Sequence, residues 1–217
     1  MTRLLIVAFC FALALVAFGA FVELGGSVVA SGEPAIFVPW EQSLFDHSTL
    51  VAWWLTWACY PGALIPICIV VLFLAWRYPE WRVRLILSVV SLLISWRAAD
   101  YFQHVFARHR PLEWVVKHET TFSYPSSHAA IATGFYALLA LMIVASDLPK
   151  TTRNVAGALL LLLAVGICWS RVALGAHYIT DLLGGALLGI VVLCLMLGVL
   201  AGGAFGGVGG RVSGAAE

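Results

Sequence analysis

The sequence predicts an all-α fold, a six-helix transmembrane bundle, and two observations carry that prediction. Hydrophobic residues make up 62% of the 217 positions and charged residues only 11%, against roughly 25% charged residues in soluble globular domains. The apolar residues also form six long runs, at residues 4–22, 60–76, 85–102, 126–146, 155–169 and 182–200. Most of them approach the roughly 20 residues that an α-helix needs to cross a hydrocarbon core. We expect one membrane domain over residues 1–201 and a flexible glycine-rich tail over residues 202–217.

The first run follows Arg3 and is long enough to span a membrane. A cleaved signal peptide is the alternative, because Ala17-Phe18-Gly19 resembles a cleavage site. The length of the run and the further spans downstream favour an uncleaved first helix.

Residues 25–57 contain no Lys or Arg and include the helix breakers Pro34 and Pro39. We expect an outer loop with an interfacial helix. Its tryptophans suit a headgroup boundary, although an ordinary outer loop with aromatic packing accounts for them equally well. The polar and aromatic residues of this segment are Glu33, Glu41, Asp46, His47, Trp40, Trp53, Trp54 and Trp57.

The remaining runs alternate with short polar turns. The second run contains Pro61 and Pro66, which membrane helices tolerate where neighbours satisfy the freed carbonyl groups. The third contains Arg97 and Asp100, three residues apart, which we interpret as a structural ion pair near the membrane boundary. Residues 103–125 are expected to form a polar loop before the fourth run.

Basic residues set the expected orientation. With the N-terminus in the cytoplasm, seven basic residues fall on the cytoplasmic side and four on the other, with Arg97 left out because it lies within the third run. This bias agrees with the positive-inside rule. The cytoplasmic seven are Arg3, Arg77, Arg82, Arg84, Lys150, Arg153 and Arg211, and the other four are Arg108, Arg110, Lys117 and Arg171. We therefore expect an integral protein of the cell (inner) membrane, with its polar site on the non-cytoplasmic side.

Charge and cysteine usage narrow the function classes. The formal net charge is +1, so no polyanion-binding surface is indicated and no nucleic-acid partner is expected. The five cysteines are scattered through the apolar runs without a CxxC pair or a metal-ligand spacing. They are best explained as small core residues, and we expect neither a metal nor another cofactor.

The polar stretch from Ser170 to Asp181 lies between the last two runs, where an unpaired charge is costly. His177 and Asp181 are four apart, so on a helix they would share one face. A carboxylate beside an imidazole fixes its tautomer, and the guanidinium of Arg171 suits a phosphate or a carboxylate. The stretch favours an anion site with a nucleophile or base, or else a structural His–Asp pair at a helix end.

Two further polar segments face the same side. Pro125-Ser126-Ser127 precedes an apolar run and indicates a helix start, and a helix N-terminus is a ready anion site. His128 falls in the first turn, where it could donate a proton to a departing oxygen, and Arg110 could add a second guanidinium. Taken singly, these residues are explained by N-capping, by a polar helix start and by interfacial snorkelling. Their coincidence favours one anion site.

These residues resemble the type 2 phosphatidic acid phosphatase superfamily. Its motifs run Lys-x6-Arg-Pro, Pro-Ser-Gly-His and Ser-Arg-x5-His-x3-Asp, and this chain has Arg110-Pro111, Pro125-Ser-Ser-His128 and Ser170-Arg171-x5-His177-x3-Asp181. The resemblance implies that His177 attacks phosphorus, that Asp181 orients it and that His128 protonates the leaving group and then activates water. It implies that Arg110, Arg171, Ser126 and the backbone of Ser127 hold the phosphate, without a metal.

The chain departs from these motifs at two positions. Ser127 replaces the family glycine, a mild change if only its backbone N–H is used. Gln103 occupies the position of the first-motif lysine and is expected to hold the phosphate without supplying charge. A charged donor contributes roughly 1.5–3 kcal/mol against about 1 for a neutral one, so we expect weaker phosphate binding or a changed substrate. Arg108 or Lys117 are candidates to compensate.

The resemblance implies a membrane phosphatase acting on a lipid phosphate or diphosphate. Polyprenyl diphosphate, phosphatidylglycerol phosphate and phosphatidic acid are the candidate substrates, and membrane lipids are the expected surroundings. The alternatives are a lipid phosphotransferase and a non-enzymatic protein that binds or transports a lipid phosphate.

Overall fold

The computed structural model describes residues 2–45, 50–111 and 121–203. Within these ranges all regular secondary structure is helical, which confirms the all-α prediction. The helices are α1 (Thr2–Ser31), α2 (Val38–Phe45), α3 (Leu50–Trp57), α4 (Pro61–Arg77), α5 (Arg82–Phe106), α6 (Ser127–Ile131), α7 (Leu138–Val144), α8 (Lys150–Ala173) and α9 (Ile179–Gly202). A π-helical stretch, Ala132–Ala137, joins α6 to α7.

Five helical stretches are long and apolar enough to cross a membrane, namely Arg3–Ser31, Arg82–Phe106, Ser127–Val144, Lys150–Ala173 and Ile179–Gly202. Helices α3 and α4 pass the same test as a pair that is bent by 49°. By length and composition, the described residues therefore contain five candidate spans, or six if the bent pair is one span. Proline is favoured in the first turn of a helix, because an N–H group there would have no partner within the helix. Pro61 at the first position of α4 therefore suits a new helix start after the bend.

The predicted polar loop 103–125 begins later than expected. Helix α5 continues to Phe106, so Gln103 and His104 lie in its last turn. The helix ends at Ala107, whose φ of +48° is a left-handed conformation that stops a helix. This turn directs the following residues, Arg108 to Pro111, across the end of the bundle.

Helix α9 packs against α1 along most of its length and against α6 at its start. A side chain at Gly184 would meet the ring of Tyr124, and one at Gly185 would meet the backbone oxygen of Ser126. Small residues allow such close approaches between membrane helices. The two glycines therefore place the start of α6 directly against the first turns of α9.

An aromatic cluster packs α1 against the segment that precedes α6. Phe21 of α1 stacks on Tyr124 with ring centroids 5.6 Å apart, and the Tyr124 hydroxyl donates to the Phe21 carbonyl at 2.7 Å. Both rings are fully buried. Phe21, near the end of the first apolar run, thus packs into the core beside the segment that leads to Ser126.

Some of the sequence-based predictions concern residues outside those described. They are the compensating role of Lys117, the outer residues Asp46 and His47, and the flexible tail beyond residue 203. These stay predictions, as does the division of the chain into one domain and a tail.

Candidate active site

His177 and Asp181 meet at the start of α9, but only Asp181 belongs to the helix. His177 precedes the first helical residue, Ile179, by two positions. The Asp181 carboxylate accepts the backbone N–H of Tyr178 at 2.9 Å, which closes a capping turn. This turn brings Nδ1 of His177 to 3.4 Å from Oδ2 of Asp181, and both side chains are fully buried. The expected pair is present, formed by a cap rather than by one helix face.

Arg110 lies on the other side of the imidazole. Its Nη1 atom is 3.0 Å from Nε2 of His177 and donates to the Ala176 carbonyl at 3.0 Å. Its Nε and Nη2 atoms donate to the backbone and side-chain oxygens of Thr121 at 2.8 and 2.7 Å. The guanidinium is therefore held in place from two loops, the one that leads into α6 and the one that leads into α9.

These contacts assign the imidazole tautomer. A guanidinium can only donate hydrogen bonds, so Nε2 of His177 must be the nitrogen that accepts from Arg110. The proton then sits on Nδ1 and points at the Asp181 carboxylate. The lone pair of the ring is on the side of the arginine.

His128 is buried in the first turn of α6. Its ring packs edge-on against Tyr60 with centroids 5.2 Å apart, and it hydrogen-bonds to the backbone of Thr56. Its Nε2 atom has no hydrogen-bond partner among the described residues. Arg171, His177 and Arg110 are close enough to interact with it electrostatically. The ring is thus positioned beside the arginines with one nitrogen available.

Arg171 is 2% exposed in the last turn of α8. Its Nη1 atom donates to the hydroxyl of Thr56 at 2.9 Å, so α3 supplies one of its contacts. A snorkelling arginine would place its guanidinium in water. The snorkelling interpretation is therefore wrong for Arg171, and the bent α3–α4 pair is part of the site.

The two serines occupy the expected helix start. Ser126 is the N-cap of α6, and its hydroxyl accepts the Ala129 N–H at a long 3.4 Å. Its own N–H donates to the Asp181 carbonyl at 3.0 Å, which ties α6 to α9. Ser127 is the half-buried first residue of α6. The capping interpretation is confirmed for Ser126, and its part in phosphate binding stays a prediction.

Gln103, in the last turn of α5, contacts the residue that precedes this helix start. The side chain is 3% exposed, and its Nε2 atom donates to the Pro125 carbonyl at 2.9 Å. At least one amide hydrogen is thus used to hold the loop that leads into α6. A direct contact between Gln103 and a phosphate stays a prediction.

Arg108, which the sequence suggested as a replacement for the missing lysine, faces the carboxylates instead. It contacts Asp181, Thr180 and Glu33. Burial alone would lower the pKa of Arg108, but the charge of Asp181 and the bonds to Glu33 outweigh it and raise the pKa above its ordinary value. Arg108 is therefore a charged partner of the acids and not a free donor for phosphate.

The remaining partners of the site were not predicted from the sequence. Ser123 donates its hydroxyl to Oδ2 of Asp181, and Glu41 accepts the Ile179 N–H at 2.7 Å. Burial, with the nearby Glu33 and Asp181 charges, raises the pKa of Glu41 to about 7. The lack of basic residues in positions 25–57 was an available signal, because the acids of that segment must find their cations elsewhere.

One family model, that of the PAP2 superfamily, matches residues 83–202. A protein named "Putative undecaprenyl-diphosphatase YbjG" from Escherichia coli (strain K12) is 32% identical over 133 residues, which are 59% of this chain and 62% of that protein. A second, "Phosphatidylglycerophosphatase B" from Bacillus subtilis (strain 168), is 39% identical over 87 residues, 37% of this chain and 40% of that protein. The chain thus spans less than two thirds of the length of either relative.

The fold also resembles a solved structure. It is the crystal structure of "the first transmembrane PAP2 type phosphatidylglycerolphosphate phosphatase from Bacillus subtilis". The TM-score is 0.68, and the match covers 84% of this chain and 93% of that chain. At 22% identity the likeness concerns the fold alone, and it agrees with the transmembrane helical bundle predicted from the sequence.

Proposed function

Because the chain belongs to the PAP2 superfamily, we propose that it is a membrane phosphatase that hydrolyses a lipid phosphate or diphosphate through a phosphohistidine on His177. The contact between Arg110 Nη1 and His177 Nε2, at 3.0 Å, carries this proposal. It leaves the nucleophilic lone pair on the side of a fixed cation. A phosphoryl oxygen can replace Nε2 as the acceptor of that N–H, which brings phosphorus next to the nucleophile.

In the first step, Nε2 of His177 attacks phosphorus and the P–O bond to the lipid breaks. The leaving oxygen takes a proton from the protonated ring of His128, whose Nε2 has no other partner among the described residues. Arg110 and Arg171, with the hydroxyl of Ser126 and the backbone N–H of Ser127, stabilise the charge on the equatorial oxygens. Asp181 stabilises the positive charge that His177 acquires.

In the second step, His128, now neutral, removes a proton from water. The resulting oxygen attacks phosphorus, the P–N bond to His177 breaks, and inorganic phosphate leaves with the neutral imidazole restored. A binding or transport protein does not need two histidines beside one anion site, so this arrangement favours an enzyme. A phosphotransferase would use a lipid hydroxyl in place of water.

An apolar groove supports a lipid as the substrate. It has a volume of about 400 Å³, lies between α4 and α5, and is lined by Ile65, Leu93, Trp96 and Ile131 among other apolar residues. Ile131 is one turn beyond His128 on α6, and Cys59 at the same end of the groove contacts the His128 carbonyl at 3.9 Å. An acyl or prenyl chain in the groove would place its phosphate at the histidines. One relative is named a diphosphatase and the other a phosphatidylglycerophosphatase, so both headgroups are candidates.

The distribution of basic residues supports a proposal for the side of the membrane on which the site lies. The basic residues predict that the site end of the bundle lies on the non-cytoplasmic side of the cell (inner) membrane, where lipid phosphates of the outer leaflet would reach it. Gln42 is exposed on α2 at this end, and Lys150 is exposed at the start of α8 at the other end.

Cysteine labelling in intact cells tests this orientation. An impermeant maleimide should label Gln42→Cys and should leave Lys150→Cys unlabelled until the membrane is opened. The unchanged protein is the blank, because its five cysteines are buried or half-buried. If only Lys150→Cys is labelled in intact cells, the orientation is the opposite of the one proposed.

The activity is tested on the purified full chain in lipid nanodiscs. Phosphate release is measured with polyprenyl diphosphate, phosphatidylglycerol phosphate and phosphatidic acid, each alone. We expect release of inorganic phosphate from at least one lipid, which separates hydrolysis from transfer because transfer to a lipid hydroxyl would give a phosphorylated lipid instead. His177→Ala should abolish release and retain binding of the same lipid. Unchanged release by this variant would overturn the mechanism, and release from none of the lipids would overturn the proposed activity.

A further inference from the structure

The Asp181 carboxylate is shared between His177 and a second, buried ion pair. Its Oδ2 atom faces the imidazole, whereas its Oδ1 atom lies 2.5 Å from Nη1 of Arg108. Nη2 of Arg108 donates to Oε2 of Glu33 at 2.9 Å. The side chains of Arg108, Glu33 and Asp181 are 7%, 6% and 0% exposed, so solvent screens these charges little. The three side chains form a chain of alternating charge that ends at the nucleophile.

Thr180 and Tyr178 fix this charge chain in place. The Thr180 hydroxyl accepts from Arg108 at 2.7 Å and donates to Glu33, and the Thr180 N–H donates to the other oxygen of Glu33 at 3.3 Å. The ring of Tyr178 lies 4.3 Å from the guanidinium carbon of Arg108. Glu33 thus ties the segment after α1 to the N-terminus of α9, next to Asp181.

The charge balance explains why both residues are needed. An arginine beside Asp181 neutralises the carboxylate that must stabilise a developing imidazolium. Glu33 restores one negative charge to the group, so that Glu33, Arg108 and Asp181 together act on His177 as one carboxylate held by an arginine. Asp181 is thereby fixed on its far side without losing its electrostatic effect.

Resting on the function proposed above, we propose that Glu33 and Arg108 are positioning residues for the reaction. They set the orientation of Asp181 and the net charge that His177 experiences, and neither touches the phosphate. The other charged or titratable groups around them are Glu41 on α2, Tyr178 and the positive N-terminal end of α9, with Arg110, Arg171 and His128 beyond His177.

Charge variants test this through the pH profile of kcat/KM, whose acid limb reports protonation of the nucleophile. Glu33→Gln leaves the group with no net charge, so the acid limb should move to lower pH. We expect kcat to fall about ten- to a hundredfold, by analogy with the loss of a hydrogen-bond partner that orients a metal-bound histidine. Arg108→Gln leaves an additional negative charge, so the limb should move to higher pH. In the double variant the limb should return towards that of the unchanged protein, because one negative charge remains.

A purely structural role would lower the amount of folded protein and leave the limb in place. If the pH profiles and kcat of all three variants equal those of the unchanged protein, the proposal is overturned. If Arg108→Gln does not fold, Arg108→Lys serves instead: its shorter ammonium cannot reach both Asp181 and Glu33, so kcat should fall with KM unchanged. An unchanged kcat in this variant would equally contradict the proposal.

Two controls keep the outcome interpretable. Asp100→Asn removes an acid from an exposed pair, 3.9 Å from Arg97, and should leave the profile unchanged. The series is repeated with Glu41→Gln, because the pKa of Glu41, which burial raises to about 7, lies in the range where histidines ordinarily titrate. If His177→Ala is inactive while Glu33→Gln is normal, only the positioning role fails. If His177→Ala is active, the proposed phosphohistidine mechanism fails, and the positioning role fails with it.

Discussion

The two sides of the His177 ring differ in charge. On the Nδ1 side lie carboxylates, with Asp181 at 3.4 Å and Glu33 and Glu41 behind it. On the Nε2 side lie cations, with Arg110 at 3.0 Å and Arg171 beyond it. Arg108 is the exception, because it is a cation placed among the acids.

This difference in charge selects one tautomer of His177. The acids keep a proton on Nδ1 and the arginine keeps Nε2 unprotonated, so the ring presents a lone pair towards the place where a phosphate would be held by guanidinium groups. A ring in symmetrical surroundings would divide its proton between both nitrogens. Variants that change the charge on either side of the ring should therefore differ in their effect on turnover.

Removing the charge from the acidic side should have the largest effect. Asp181→Asn keeps the size of the side chain but can present its NH₂ group to the imidazole, which favours the wrong tautomer. We expect kcat to fall by about 10⁴-fold, as in other histidines that lose their orienting carboxylate. Asp147→Asn, in the exposed turn at the other end of the bundle, is the matched control. Turnover within tenfold of the unchanged protein would show that the carboxylate charge is dispensable.

Removing the cation from the opposite side should have the next largest effect. Arg110→Gln loses the donor beside Nε2 and a charge that would stabilise the phosphoryl oxygens. We expect kcat/KM to fall about 10²–10³-fold, measured by phosphate release. Arg153→Gln is the control, because Arg153 donates to a backbone carbonyl, that of Ser146, at 3.3 Å in the distant turn. Equal losses in both variants would point to general destabilisation instead.

Adding a cation at the base of α6 should strengthen the positive side of the site modestly. Gln103→Lys restores the charge that the family motif carries, at a position whose side chain now donates to Pro125. We expect KM for a lipid phosphate to fall by up to about tenfold, the difference between a charged and a neutral donor. Unchanged KM and kcat would mean that the missing charge is immaterial here.

Titration of Glu41 should produce the smallest effect, on stability. Burial, with the charges of Glu33 and Asp181, raises its pKa from 4.5 to about 7, so the folded protein holds this proton more tightly than the unfolded chain. The resulting stabilisation is complete below pH 4.5 and is lost as the pH rises towards 7. Thermal unfolding in detergent should show a pH slope in this window that is smaller in Glu41→Gln. An identical slope in both proteins would contradict the raised pKa.

The sequence was sufficient for the all-helical class, for five of the six predicted spans, for the helix start at Ser126 and for the three polar segments that meet around His177, because each depends on local periodicity or spacing. It could not give the partners of Asp181. Arg108 is 73 positions from Asp181, and Glu33, which holds Arg108, is 147 positions from Thr180. Nothing local to these residues specifies their contacts. The position of Gln103 beneath Pro125 also depends on how far α5 continues, which is a matter of packing. Likewise His177 looked helical by spacing, whereas the capping turn at Tyr178 places it before the helix.

Attack on phosphorus by the lone pair on Nε2 of His177 is tested most directly by trapping the intermediate. The full chain is mixed with a ³²P-labelled lipid phosphate, quenched in alkali within milliseconds and digested, and the phosphohistidine isomer is identified by chromatography against standards. We expect label on His177 at Nε2, with none in His177→Ala. Label at Nδ1, or rapid turnover with no labelled histidine at any time point, would contradict this mechanism.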